Sequence, residues 1–127
     1  MDDRALIAAA REAAEQAYAP YSGFRVGAVV VADGEQYRGA NVENSAYPST
    51  VCAEATAIAH AASCGVRRID TVAVACIDSP DEPGYPCGNC RQMMVEFGVR
   101  RVLVDGPDGH REHTLDELIP FGFKFEE

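Results

Sequence analysis

The chain has 127 residues, a length that fits one domain with its own core. Its composition, 47% hydrophobic and 24% charged residues, is that of an ordinary globular protein, and no apolar run is long enough to cross a bilayer. The net charge of −9 argues against a nucleic acid polymer as partner, because binding a phosphate backbone requires clustered Lys and Arg. We expect a small, uncharged or cationic ligand and no membrane.

The cysteines and the N-terminal residues predict a cellular compartment. The N-terminal residues lack a basic segment followed by an apolar core, so no signal peptide is expected. Five cysteines is an odd number, which fits a reduced protein better than a disulfide framework. The sequence therefore predicts a cytoplasmic protein.

The first half of the chain predicts a helix and a hairpin. An apolar stripe on a polar background indicates a helix over residues 3–18, which ends at the segment APYSG. Residues 24–32 are rich in β-branched side chains, as in a strand buried on both faces. The dipeptide Asp33-Gly34 favours a hairpin turn, with 35–40 as the returning strand.

The second half alternates helices with buried strands. A polar loop leads to an alanine-rich helix over 51–63, closed by Gly65. A capping box, Thr114 with Glu117, opens a last short helix. Between them the pattern predicts a strand at 71–77, a loop at 78–86, a helix at 87–97, a strand at 102–104 and a turn at 105–109.

The order of these elements predicts the fold class. Strand–helix–strand units imply right-handed crossovers and parallel neighbours. We expect an α/β fold over residues 1–127, a three-layer α/β/α sandwich whose mixed sheet has about five strands.

Two predicted helices begin with cysteine. Cys52 is followed by Ala53 and Glu54, and Pro86 precedes the pair Cys87 and Cys90. Helix N-termini favour negative charge and lower thiol pKa values, so three thiolates gathered there would form a strong Zn²⁺ site.

A fourth protein ligand is not evident, and this distinguishes catalytic from structural zinc. His60 lies about 12 Å along the helix from Cys52 at the usual helical rise. Cys76 falls in an apolar strand, and nothing in the sequence directs His110 or His113 to the site. Water is therefore expected at the fourth position, as in catalytic zinc sites.

Glu54 gives such a water a chemical purpose. It lies two residues after Cys52, where a carboxylate can take a proton from the water and deliver it to a leaving group. Three cysteine ligands, a glutamate that is not a ligand and a Pro-Cys-x-x-Cys segment are together the signature of the zinc deaminases. The joint pattern is far more specific than Cys-x-x-Cys alone.

Over most of its length the chain resembles the short, homotetrameric cytidine deaminases. The resemblance is carried by AYAPYSGFRVGA (17–28), GANVENSAY (39–47), CAE (52–54), PCGNCRQ (86–92) and LIPFGF (118–123). It implies hydrolysis of cytidine or deoxycytidine to uridine or deoxyuridine with release of ammonia, a step of pyrimidine salvage, in a homotetramer with shared active sites.

The resemblance also assigns residues to the nucleoside. It implies that Phe24, Asn41 and Glu43 line the site, the latter two bonding ribose hydroxyls. The backbone at Ala53 and the Glu54 carboxylate would bind the base edge. Phe123 would stack on a pyrimidine in a neighbouring subunit's site.

Three positions depart from the family pattern. Ala55 stands where the family commonly has an arginine that bonds the thiolates, Pro48 replaces a small or polar residue, and Asn89 replaces a small residue between the cysteines. None of these removes a proposed ligand or the glutamate.

Other interpretations of the same residues remain open. Cys87 and Cys90 could form a thioredoxin-like redox pair, which leaves Cys52 and Glu54 unexplained. A blasticidin S deaminase would use the same zinc chemistry on another cytosine nucleoside. A zinc-binding protein without enzymatic activity is the alternative from another class.

Overall fold

The computed structural model describes residues 2–79 and 81–125. Its helices and strands follow in chain order: α1 (Asp3–Ala14), β1 (Val26–Ala32), β2 (Glu35–Ala40), a 3-10 turn (Tyr47–Ser49), α2 (Ala53–Ser63), β3 (Thr71–Cys76), α3 (Gly88–Glu96), β4 (Arg101–Val104), β5 (Arg111–Thr114) and α4 (Leu115–Leu118).

Five strands form one mixed sheet in the order β2-β1-β3-β4-β5. The β1–β2 hairpin is antiparallel, as the Asp33-Gly34 turn predicts, and β1 also pairs antiparallel with β3. Strands β3 and β4, joined through α3, are parallel neighbours as expected. The crossover from β2 to β3 does not make neighbours, because β1 lies between these two strands.

Helices cover both faces of the sheet, so the predicted three-layer α/β/α architecture is confirmed. Helix α1 packs its apolar stripe against one face, where Val29, Ala73 and Leu103 are buried. Helices α2 and α3 cover the other face, over side chains that include Val30 and Val74. Both cores follow from the nearly continuous apolar strands β1 and β3.

A glycine on β2 allows α2 to lie close to the sheet. A Cβ atom on Gly39 would lie 2.4 Å from the backbone nitrogen of Ala57 and 2.8 Å from the carbonyl oxygen of Ala53. Backbone atoms cannot move aside as a flexible side chain can, so this contact requires glycine. The start of α2 is thereby fixed against the strand that leads toward Asn41.

Several element boundaries differ from those the sequence predicts. The first helix ends at Ala14 instead of residue 18, because Gln16 and Ala17 donate to carbonyls only three residues back and Tyr18 pairs with Asn41. The strand expected from residue 24 begins at Val26. The predicted polar loop contains the 3-10 turn.

One strand has no counterpart in the sequence prediction. Residues Arg111–Thr114 form β5, antiparallel to β4, where only a turn before the last helix is expected. The capping box that opens α4 is confirmed: Thr114 and Glu117 each accept a hydrogen bond from the other's backbone nitrogen. Within residues 2–79 and 81–125, no helix is both long and apolar enough to cross a membrane.

Candidate metal centre and adjoining cavity

The structure brings the three predicted thiols together at two helix starts. Cys52 is the N-cap of α2, Cys87 is the N-cap of α3, and Cys90 lies in the first turn of α3. Their Sγ atoms all lie within 4.8 Å of one another, and those of Cys52 and Cys87 are 3.9 Å apart. Neither N-cap thiol caps its own helix, so both sulfurs remain available to a ligand.

The electrostatics of this cluster call for a cation. Burial raises the pKa of Cys52, with added repulsion from Cys87 and Glu54. Burial also raises the pKa of Cys90, again with Glu54 opposing ionisation. Burial acts the same way on Cys87, but the backbone N–H groups near its sulfur, first that of Cys90, stabilise the thiolate and lower its pKa overall. Ionisation of all three thiols beside a carboxylate would therefore need a bound cation, and three sulfur donors suit zinc.

Glu54 lies beside the thiols in the first turn of α2. Only 4% of its surface is exposed, and burial raises the pKa of its carboxyl group. A carboxyl group whose charged form is disfavoured accepts a proton readily. The side chain is therefore suited to proton transfer in the cluster's immediate surroundings.

A cavity of about 450 Å³ opens next to the thiols and Glu54, within the size range of small-molecule sites. Among the described residues that line it are three carboxylates, Glu43, Glu54 and Glu82, and no Lys, Arg or His. This excess of acidic over basic side chains fits the uncharged or cationic ligand expected from the net charge, because the carboxylates would repel an anion.

Asn41 lies on the cavity wall and also holds the chain in place. Its Oδ1 accepts a hydrogen bond of 2.8 Å from the backbone nitrogen of Val26, and its Nδ2 donates to the carbonyl oxygen of Phe24 at 2.9 Å. An amide has two donors and two lone pairs, so one of each remains for a ligand. Asn41 thus fixes the entry to β1 as well as facing the cavity.

Glu43 is buried and fully oriented by the turn that precedes β1. Its Oε1 accepts from the backbone nitrogens of Tyr21 at 2.9 Å and Ser22 at 3.0 Å, and its Oε2 bonds the Ser22 hydroxyl. The Ser22 hydroxyl is the largest cause that lowers the pKa of this carboxyl. A fixed, ionised acceptor on the cavity wall results.

The remaining predicted site residues divide between the cavity and the surface. Phe24 and Ala53 line the cavity, Phe24 half exposed and Ala53 fully buried. Phe123 is not among the described residues that line the cavity; the residue is 68% exposed, and its carbonyl oxygen accepts from Gln92 Nε2 at 2.6 Å.

Two features of the site were not predicted from the sequence. Arg25 pairs with Asp78 through its Nε and NH2 atoms at 2.9 and 3.0 Å, which joins the start of β1 to the segment after β3. Tyr85 lines the cavity. Its place directly before Pro86 and Cys87 was the one available signal.

Comparison with known proteins agrees with this geometry. Residues 1–105 match the family model described as the cytidine and deoxycytidylate deaminase zinc-binding region. A cytidine deaminase of Sporosarcina psychrophila is 45% identical, over 100% of this chain and 95% of the relative. The "Probable cytidine deaminase" of Dictyostelium discoideum is 44% identical, over 95% of this chain and 83% of the relative.

Solved structures give the same result. The crystal structure of cytidine deaminase from Burkholderia pseudomallei superposes with a TM-score of 0.90 at 40% identity, covering 97% of this chain and 100% of that one. That from Mycobacterium tuberculosis gives 0.85 at 36% identity, covering 98% and 99%.

The fold and the thiol cluster define a zinc-binding deaminase domain. The chain belongs to the cytidine and deoxycytidylate deaminase family. Its cofactor is zinc, and Cys52, Cys87 and Cys90 are positioned to bind the ion. Family membership favours the metal interpretation of Cys87 and Cys90 over a redox pair, and all five cysteines are free thiols.

Proposed function

We propose that the protein hydrolyses cytidine or deoxycytidine to uridine or deoxyuridine and ammonia, a step of pyrimidine salvage. The observation that carries this proposal is one juxtaposition: the three thiols form a cluster, and two of them, Cys52 and Cys87, line a cavity together with the buried Glu54, Asn41 and Glu43. Deamination of a nucleoside by a zinc enzyme requires donors for the metal, a group that carries protons and polar groups that bind the sugar.

The thiols of Cys52, Cys87 and Cys90 hold the metal in this proposal. Bound zinc would act as a Lewis acid that makes a water molecule nucleophilic near neutral pH. Three protein ligands leave one position open, as catalytic zinc sites do. The cluster contains only these three donors among the described residues, which supports a catalytic site over a structural one.

Glu54 is the proposed general base and acid. Its carboxylate would take a proton from the water that attacks C4 of cytosine; of that water's two protons, one would end on N3 and the other on the leaving amino group, which gives uridine and ammonia. One carboxylate can serve both steps because burial raises its pKa toward the working pH.

The nucleoside would be held along the cavity wall. We assign the ribose hydroxyls to Glu43, whose carboxylate is already oriented by Ser22, and to the free donor and acceptor of Asn41. The ring of Phe24 would pack on the ligand, and the backbone at Ala53 with the Glu54 carboxylate would bind the base edge.

We further propose a homotetramer in which Phe123 completes a neighbour's cavity. Large aromatic side chains are exposed near the C-terminus and at the 3-10 turn: Tyr47 (84%), Phe121 (103%), Phe123 (68%) and Phe125 (81%). Apolar surface of this kind marks interaction sites. The number of four subunits comes from the resemblance to the short, homotetrameric cytidine deaminases.

We also propose that residues 1–127 form one domain. We propose in addition that the protein is cytoplasmic, where five free thiols stay reduced.

The decisive experiment combines metal analysis with an activity assay. The protein should contain one zinc per chain, and the fall in absorbance as cytidine becomes uridine should report turnover. A folded protein with one zinc per chain that leaves both cytidine and deoxycytidine unchanged would refute the proposed substrate. A folded protein without zinc, with Cys87 and Cys90 cycling as a disulfide, would refute the metal site.

The shared site can be tested by mixing two variants that are impaired in different ways. Phe123→Ala should raise the KM for cytidine, and mixed with Glu54→Gln it should recover part of the activity through hybrid sites. A fully active monomer in light-scattering measurements would contradict the assembly.

A further inference from the structure

A chain of three polar side chains leads from the C-terminal part of the sheet to the segment before Cys87. The Tyr85 hydroxyl lies 2.8 Å from Nε2 of His113, and the two ring centroids are 5.3 Å apart. On its other side, Nδ1 of His113 lies 3.5 Å from Oε2 of Glu117. His113 belongs to β5, so its backbone is held by pairing with Val102 of β4.

The direction of the hydrogen bond between Tyr85 and His113 follows from Glu117. Its pKa is lowered, first by the backbone N–H of Thr114 and then by His113, so Glu117 is ionised at neutral pH. An ionised carboxylate can only accept, so it favours the proton on Nδ1 of His113. When the ring carries only this proton, Nε2 is an acceptor and the Tyr85 hydroxyl donates to it.

A second tether reaches the same segment from the same part of the chain. Arg91 donates from Nε to the carbonyl oxygen of Pro86 at 2.8 Å and from NH1 to that of Leu118 at 2.7 Å. Residues 113–118 are therefore linked to this segment twice, directly to Tyr85 through His113 and indirectly to the Pro86 carbonyl through Arg91. Cys87 itself is exposed, whereas Pro86 is buried, so these polar contacts act together with the packing of Pro86 to hold the segment in place.

Tyr85 also belongs to the cavity. Of the described residues, Tyr85 lines the cavity and His113 does not, so His113 contacts a residue of the wall without belonging to it. Any movement of Tyr85 would shift that wall and, two residues later, the Cys87 thiol.

We propose that His113 is a positioning residue for the metal centre: through Tyr85 it fixes the segment that carries Cys87 and one wall of the cavity. The proposal rests on the zinc site proposed above. It assigns a task to β5 and α4, which contribute no metal donor among the described residues.

The test is the rate of zinc release to an excess of chelator, measured on the zinc-loaded protein. Tyr85→Phe removes only the hydroxyl. His113→Phe keeps an aromatic ring but removes the contacts of the two ring nitrogens with Tyr85 and Glu117. Each should speed zinc release by about 10-fold, the lower end of the effect of losing an outer hydrogen-bonding partner. The double variant should release zinc no faster than either single variant, because both remove the same bond.

His60→Phe is the matched control. His60 also packs against a tyrosine, Tyr37, with ring centroids 5.4 Å apart, but on the α2–β2 side of the molecule. This variant should release zinc at the wild-type rate.

Each possible set of release rates either supports or contradicts the role proposed for His113. The proposal is wrong if both single variants release zinc as slowly as the wild type, if their effects multiply in the double variant, or if His60→Phe accelerates release equally. If His113→Phe does not fold, the rate of zinc release from Tyr85→Phe alone tests the proposal. A wild-type protein that binds no zinc would overturn the proposed metal site along with this inference, whereas unchanged release rates from zinc-loaded variants overturn only the inference.

Discussion

The two helix starts that form the thiol cluster are built in different ways. The start of α2, with Ala53 and Glu54, is buried and lies against the backbone of β2 at Gly39. The start of α3 follows a long loop, and its first thiol, Cys87, is exposed. Side-chain hydrogen bonds from Arg91 and Tyr85 hold this second start.

The difference matches the chemistry proposed for the two helix starts, which we call the α2 half and the α3 half of the site. A proton carrier needs a dry, fixed environment, which close packing at α2 provides for Glu54. A thiol ligand needs correct placement but can remain near solvent, and polar tethers at α3 provide this for Cys87. The α2 half should therefore be sensitive to volume, and the α3 half to the loss of particular hydrogen bonds or sulfurs.

Glu54→Gln should have the largest effect on turnover. The amide retains the volume of the side chain but cannot accept the proton, so kcat should fall by about 10²–10⁴-fold. Zinc content should stay at one per chain, because Glu54 is not a proposed ligand. Steady-state kinetics with metal analysis gives both values, and a variant that keeps more than about a tenth of the rate would remove Glu54 from the mechanism.

Cys87→Ser should affect metal binding but not the metal-free fold. The side chain is exposed, so the metal-free variant should unfold at the wild-type temperature. Wild-type protein should gain about 2.7 kcal/mol at a zinc concentration 100 times its Kd, and the variant should lose this gain. Thermal unfolding with and without zinc makes the comparison; an equal gain in both proteins would exclude Cys87 as a ligand.

Gly39→Ala should destabilise the α2 half through volume alone. The new Cβ would lie 2.4 Å from the Ala57 nitrogen, which is too close, and the resulting backbone shift should cost about 1–3 kcal/mol. Gly88→Ala is the control at the start of α3, where a Cβ meets nothing within 4 Å. Denaturant unfolding of the metal-free proteins should show no loss for Gly88→Ala; equal losses would contradict the contrast between the halves.

Ser22→Ala should have the smallest effect, and only at acid pH. Ser22 lowers the pKa of Glu43, so wild-type Glu43 stays ionised below its ordinary range and can still accept from the ribose. Without the hydroxyl, Glu43 should become protonated at higher pH, and the KM for cytidine should begin to rise at higher pH than in wild type. KM profiles between about pH 4 and 7 test this; superimposable profiles would exclude Glu43 from sugar binding or Ser22 from its control.

The sequence predicted the parts of the site that follow from local patterns. Cys52 and Cys90 are found at the starts of helices because the helix signals around them are strong, and the proximity of the thiols followed from placing both starts at one edge of the sheet. The buried strands β1 and β3 were predicted from apolar runs. Roles assigned to Asn41 and Glu43 stay predictions.

What the sequence did not predict depends on pairing between distant residues. Strand β5 reads REHT, which has no apolar alternation, and it is a strand only because β4 offers a free edge. The hydrogen bond between Tyr85 and His113 spans 28 positions, and no pattern marks it. The first helix was predicted too long because its apolar stripe continues to Ala17, whereas Tyr18 is drawn into pairing with Asn41.

Strand β5 also has a consequence for the solution behaviour of the protein. It is the outer strand of the sheet, and an unpaired outer edge can recruit strands from other molecules into aggregates. Here the edge has four residues, carries Arg111 and Glu112, and leads directly into α4. An edge that is this short and carries charged side chains offers little template for a further strand. The sheet can therefore end at β5 without a partner that covers it.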